Sequence, residues 1–120
     1  MTTPTTFLEQ VNQLIDTHPN HPQLLSLIAE HFQLSPSQIY RKIKSRTGLS
    51  PSHYIRQRRL SLAQSLILKT DLSFSEIARL TGFRQLAYFS RSFAKHFGMT
   101  ASRMRQQRKN HQINGNPTNG

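Results

Sequence analysis

Two arginines, Arg41 and Arg91, stand fifty positions apart in segments of matching pattern. On an exposed helix face, arginine is the side chain best suited to bidentate hydrogen bonding with the O6 and N7 atoms of guanine in a major groove. At about 100° per residue, Ser37, Gln38 and Ser45 share the outward face with Arg41, Lys44 lies beside them and Tyr40 falls on the flank. Ile39 and Ile43 point the other way. Around Arg91 the outward set is Arg84, Ala87, Tyr88 and Lys95, and the inward set is Leu86, Phe89, Phe93 and Phe97. Ser37 and Ala87 are small enough to let the backbone come close to a groove. A single basic face is more often plain solvated charge. Two of them in repeated segments favour base reading, with Lys44 and Lys95 as flanking phosphate contacts.

The elements that must carry these residues follow from periodicity and stop signals. Phe7, Leu8, Val11, Leu14 and Ile15 make one helix face, ended by His18-Pro19. Pro22 suits the first turn of a second helix, whose buried stripe is Leu24, Leu25, Ile28, Ala29 and Phe32. Ser35-Pro36-Ser37-Gln38 is a capping box with proline at the first helical position, and it opens a third helix ending at Thr47-Gly48. Ser50-Pro51 starts a fourth, with Tyr54, Ile55, Leu62, Ala63, Leu66 and Ile67. Ser73 and Glu76 read as another capping box, opening a short fifth helix. A sixth ends at Gly98, and Thr100 caps a seventh running to about Gln107. No segment alternates with period two, so the fold class is all-α, with about seven helices. The expected organisation is a flexible N-terminus (1–6), a first helix–turn–helix subdomain (7–50), a linker helix (51–69), a second helix–turn–helix subdomain (70–107) and a disordered polar tail (108–120).

The two subdomains repeat. Ile28-Ala29 and Leu34 recur as Ile77-Ala78 and Phe83 after 49 positions, and Ile39, Arg41, Ile43, Gly48 and Ser50 recur as Phe89, Arg91, Phe93, Gly98 and Thr100 after 50. The change of offset places one extra residue in the second turn. In a helix–turn–helix, the second helix enters the major groove while the first braces it. The 18 residues of 51–68 span roughly 27 Å as a helix, against about 34 Å between successive major grooves on one face of DNA. A linker of that order can hold both reading helices on one side of a duplex. Arg56, Arg58 and Arg59 on this helix are candidate phosphate contacts, with solvated charge as the equal alternative.

Composition agrees and excludes much else. The chain has 120 residues, 16 Lys+Arg against 5 Asp+Glu, and a formal charge of +11. Residues 1–40 hold Glu9, Asp16 and Glu30 and no base, a charge of −3; residues 41–120 hold all 16 bases against Asp71 and Glu76, a charge of +14. Such a body favours a polyanionic partner. With no cysteine there is no disulfide scaffold, zinc finger or thiol nucleophile. The six histidines (18, 21, 31, 53, 96 and 111) lack carboxylates at ligand spacing, so no metal is expected. No phosphate loop or paired carboxylates point to catalysis, and no cofactor is expected. Phe89, Phe93 and Phe97 could stack on single strands but suit a core better at their i, i+4, i+8 spacing. The start MTTPTTFLEQ has neither the basic region nor the apolar core of a signal peptide, and no stretch spans a membrane. The expected location is the cytoplasm, in association with the nucleoid.

The stretch LSFSEIARLTGFRQLAYFSRSFAKHFGMTASRMR, from Leu72 to Arg105, resembles the second-unit signature of the AraC/XylS family of bacterial transcription regulators. SPSQIYRKIKSRTGLSP and YIRQRRLSLA match the same family, and SQIYRKIK most resembles effector domains of hybrid two-component regulators. The resemblance runs from about Phe7 to Arg105. It implies seven helices, two helix–turn–helix units and a monomeric grip on DNA. It also implies base contacts at Ser37, Tyr40 and Arg41, and at Leu86, Ala87, Tyr88, Ser90 and Arg91, although the facing argument puts Leu86 in the core. The sequence departs from the family at Ala101, where proline is usual, at Met104, where an aromatic is common, and at Arg84-Gln85, where a small polar cap is common. The function expected is a sequence-specific double-stranded DNA-binding regulator, an activator, with RNA polymerase as a further partner. The alternative is an architectural binder held by phosphates alone. The length suits a small stand-alone regulator or the effector piece of a longer chain, and the resemblance leans to the second, with a sensor or dimerisation domain elsewhere.

Overall fold

The computed structural model describes residues 6–114, with side chains through Asn110. It contains α1 (Phe7–Thr17), α2 (Leu24–Phe32), α3 (Pro36–Thr47), α4 (Pro51–Lys69), α5 (Phe74–Leu80), α6 (Leu86–Phe97) and α7 (Ala101–Asn114). Among the described residues there is no strand. The chain forms two compact units, Met1–Arg59 and Leu60–Gly120. The division falls inside α4, the expected linker helix: Ile55 belongs to the first core, and Leu60, Ala63 and Ile67 to the second.

In the first unit, α1 and α2 bury Val11, Ile15, Leu24, Ile28 and Ala29 against Ile39 and Ile43 of α3. The starting signals act as their chemistry demands. Ser35 Oγ accepts from the Gln38 amide at 3.2 Å, and Gln38 Oε1 accepts from the Ser35 amide at 2.8 Å, closing the capping box. Thr6 and Glu9 form a second reciprocal box on α1, so Thr6 is part of a helix cap and not of a flexible end. Residues 1–5 of that expected N-terminus lie outside the described residues. Pro22 precedes α2 instead of sitting in its first turn, because the chain is still in a turn and the N-cap is Gln23.

In the second unit the same plan recurs with a larger core: Ile77 and Ala78 of α5 pack with Phe83, Phe89 and Phe93, closed by Ala101 of α7. The turn between α2 and α3 places Gln33 at φ 54°, and the turn between α5 and α6 places Gly82 at φ 93°. Each left-handed residue lets the next amide reach back to a helix carbonyl, Leu34 to Ala29 at 3.0 Å and Phe83 to Ala78 at 2.8 Å. The extra residue of the second turn is Arg84, which lies in the bend before α6 and not on its outward face. Ser73 makes only half of its expected box. Its hydroxyl accepts from the Glu76 amide at 3.1 Å, but the Glu76 carboxylate turns to Arg79 at 2.7 Å.

The largest departure is α7, which continues to Asn114 where a disordered tail was expected from residue 108. Its arginines explain this. Arg108 Nη1 donates to the carbonyls of Leu68 and Thr70 at 3.1 Å each, and Nη2 donates to Asp71 at 3.0 Å. Arg105 donates to Ile67 O at 3.2 Å and Leu72 O at 2.5 Å. These carbonyls end or follow α4, where the helix dipole favours a cation. Arg108 also holds the exposed Asp71 carboxyl below the ordinary carboxylate range. Polar composition suggested a solvated tail, but Arg108 at its start had helix-end acceptors to satisfy. Residues 115–120 of the expected tail lie outside the described residues.

Candidate nucleic-acid interface

With Ile39 and Ile43 wholly buried, the opposite side of α3 is fixed as its outer face. Ser37, Gln38, Tyr40, Arg41 and Lys44 are all exposed there, Tyr40 to 46%. Gln38 has its amide oxygen engaged in the cap. Lys44 Nζ donates to Gly48 O at 3.2 Å, beside the left-handed glycine that ends the helix. The helical pairs Pro36/Tyr40 and Ser37/Arg41 wall an open hollow of about 380 Å³, which Leu25 of α2 completes.

The second unit presents a comparable face. Phe89 and Phe93 are wholly buried, so Ala87, Tyr88, Ser90, Arg91 and Lys95 stand outward. Tyr88 leans on Phe83 with ring centroids 5.9 Å apart. Leu86 corrects the facing argument: it is 43% exposed. As the first residue of α6 it projects off the helix end, beyond the reach of the core beneath Phe89, and so joins the outer face that the resemblance assigned it. Among the described residues, the guanidinium groups of Arg41, Arg84 and Arg91 have no hydrogen-bond or ion-pair partner.

Two of the phosphate candidates on α4 are engaged within the chain. Arg58 forms a bidentate pair with Asp16, Nε to Oδ1 at 2.8 Å and Nη2 to Oδ2 at 2.6 Å. That hydrogen bond raises its pKa further. Arg59 donates to Pro19 O at 2.8 Å and His21 O at 3.1 Å, and its burial lowers its pKa. Both are fastened within the first unit, so a phosphate would compete with partners that the fold already supplies. Arg56 is half-buried and also engaged within the chain. Replacing Arg58 by Met is accordingly expected to leave the salt dependence of DNA binding unchanged and to cost at most about 1 kcal/mol of stability. Parallel salt titrations and urea unfolding check both, and a flatter salt slope would return Arg58 to the interface.

Leu25 and Pro36 line the hollow beside these candidates, and sequence reasoning did not single them out for it. Leu24 is buried, and Leu25, on the flank of the same stripe, is half-buried and packs against the same core. Among the described residues, no three His, Cys, Asp or Glu side chains gather to hold a metal. No helix there is long and apolar enough to cross a membrane.

Each unit is thus a helix–turn–helix whose second helix turns an arginine-centred polar face outward, and two such units define a tandem helix–turn–helix protein. The helix-turn-helix domain family matches residues 28–107. The transcriptional activator RhaS of Salmonella arizonae is 33% identical over 101 residues, covering 84% of this chain and 36% of its own length. The chain therefore spans about a third of the length of the curated relatives it matches. The C-terminal domain of the two-component response regulator yesN from Fusobacterium nucleatum is 29% identical with a TM-score of 0.71, covering 82% of this chain and 96% of that one. A Chromobacterium violaceum transcriptional regulator, of the proteins containing an AraC-type DNA-binding domain, is also 29% identical with a TM-score of 0.79, covering 85% and 91%. This chain belongs to the AraC-type helix–turn–helix family of DNA-binding transcription regulators.

Proposed function

We propose that this chain reads a specific double-stranded DNA site with α3 and α6, each inserted in a major groove and the two grooves adjacent, so that one chain covers both. The observation that supports this most is the matched station of two arginines. Arg41 and Arg91 are each the sixth residue of a 12-residue second helix, and both are exposed. Ser37, Tyr40, Ala87 and Tyr88 supply the remaining base contacts, with Gln38 contributing its amide nitrogen. Arg84, displaced to the bend before α6, contacts the backbone or base edge at the rim of the second groove. Lys44 and Lys95 meet phosphates.

The role is activation, as the name of RhaS says of that relative, with contact to RNA polymerase at the promoter and with a sensor or dimerisation domain supplying the signal. The work is done in the bacterial cytoplasm on nucleoid DNA. Selection of bound duplexes from a random pool tests the reading. The expected result is an asymmetric site with two elements about one helical turn apart. A pool that stays unenriched, with binding governed by salt alone, would replace this reading with an architectural one.

A further inference from the structure

The hollow on α3 has a chemistry that the arginine does not explain. Three of its five lining residues, Leu25, Pro36 and Tyr40, present mainly carbon. Pro36 is the first residue of the helix and has no N–H to offer, and the Ser35 hydroxyl is turned away to cap the Gln38 amide. Ser37, Arg41 and the Tyr40 hydroxyl supply its polar atoms, and the larger part of its lining is apolar, suited to a carbon group on a base edge. In the major groove only thymine presents a carbon group, its 5-methyl. Arg41 lines the same hollow and is exposed. No acid lies between His31 and Thr70, so nothing on this stretch opposes the approach of phosphates.

We infer that the first unit reads a thymine beside a guanine. The thymine 5-methyl seats against Leu25, Pro36 and Tyr40, and Arg41 takes the guanine. Leu25 thereby makes the bracing helix a reader of sequence as well as a support. This rests on α3 occupying a major groove, as proposed above, and adds the identity of one base step.

The test uses the duplex that the full chain selects, with each thymine in turn replaced by deoxyuridine, which removes only the methyl. The expected result is a loss of about fourfold in affinity at one thymine, the effect of one buried methyl group. That thymine lies next to the guanine whose identity ceases to matter in Arg41→Ala. Tyr40→Ala is expected to weaken binding of the thymine duplex about fourfold and to abolish the difference between thymine and uracil there. Full affinity for every uracil-bearing duplex overturns the inference and leaves the two-helix reading standing. A methyl effect that persists unchanged in Tyr40→Ala overturns the assignment to this hollow. Failure to select any sequence overturns the two-helix reading and this inference with it.

Discussion

Arg41→Ala and Arg91→Ala are each expected to weaken binding to the selected site by about 1–3 kcal/mol and to relax base preference at one position. The effect is large because both side chains are exposed, have no partner among the described residues, and sit at the same station of a second helix. Nothing in the chain must be broken before either guanidinium meets a guanine. Affinity for random duplex falls far less, since each loses one charge among many. The measurement is a pair of titrations, on the selected and on a scrambled duplex at one salt concentration. Equal losses on both would show that the arginines touch phosphate and not bases.

Phe93→Ala is expected to cost about 3–5 kcal/mol of stability, a large share of the roughly 5–15 kcal/mol a domain possesses. Phe93 is wholly buried, with ring centroids 5.8 Å from Phe89 and 4.5 Å from Phe97. Truncation leaves a cavity among rigid aromatic neighbours that cannot collapse into it. The same burial rules out stacking of Phe89 and Phe93 on single-stranded bases. Urea unfolding measures the loss, and a cost below about 1 kcal/mol would mean that this core repacks freely. Ile43 holds the corresponding place in the first unit, wholly buried on α3, fifty positions earlier.

The helices and their buried faces were legible because they depend on neighbours within a turn or two. Ile39, Ile43, Phe89 and Phe93 repeat at helical spacing, and Ser35 caps a helix whatever the rest of the chain does. The duplication made the pairing of Arg41 with Arg91 legible as well. Charge was not legible in the same way. Arg58 finds Asp16 across 42 positions, and Arg108 finds Asp71 across 37. A count of bases cannot tell a cation that waits for a ligand from one already used by the fold. Leu86 was misjudged for a related reason: periodicity gives an angle around the helix, but it does not say whether the core extends to that end.

The clasp of Arg105 and Arg108 on the last carbonyls of α4 also bears on the order of folding. Its bonds close loops of 33 to 41 residues, long separations for so small a unit. Contacts at such separation are made only after local helices exist and the chain's entropy has been reduced by other packing. Interactions absent from the transition state act on the rate of unfolding and hardly on the rate of folding. The middle of α7 is therefore expected to act as a latch, with little effect on the rate of folding and more on the rate of unfolding.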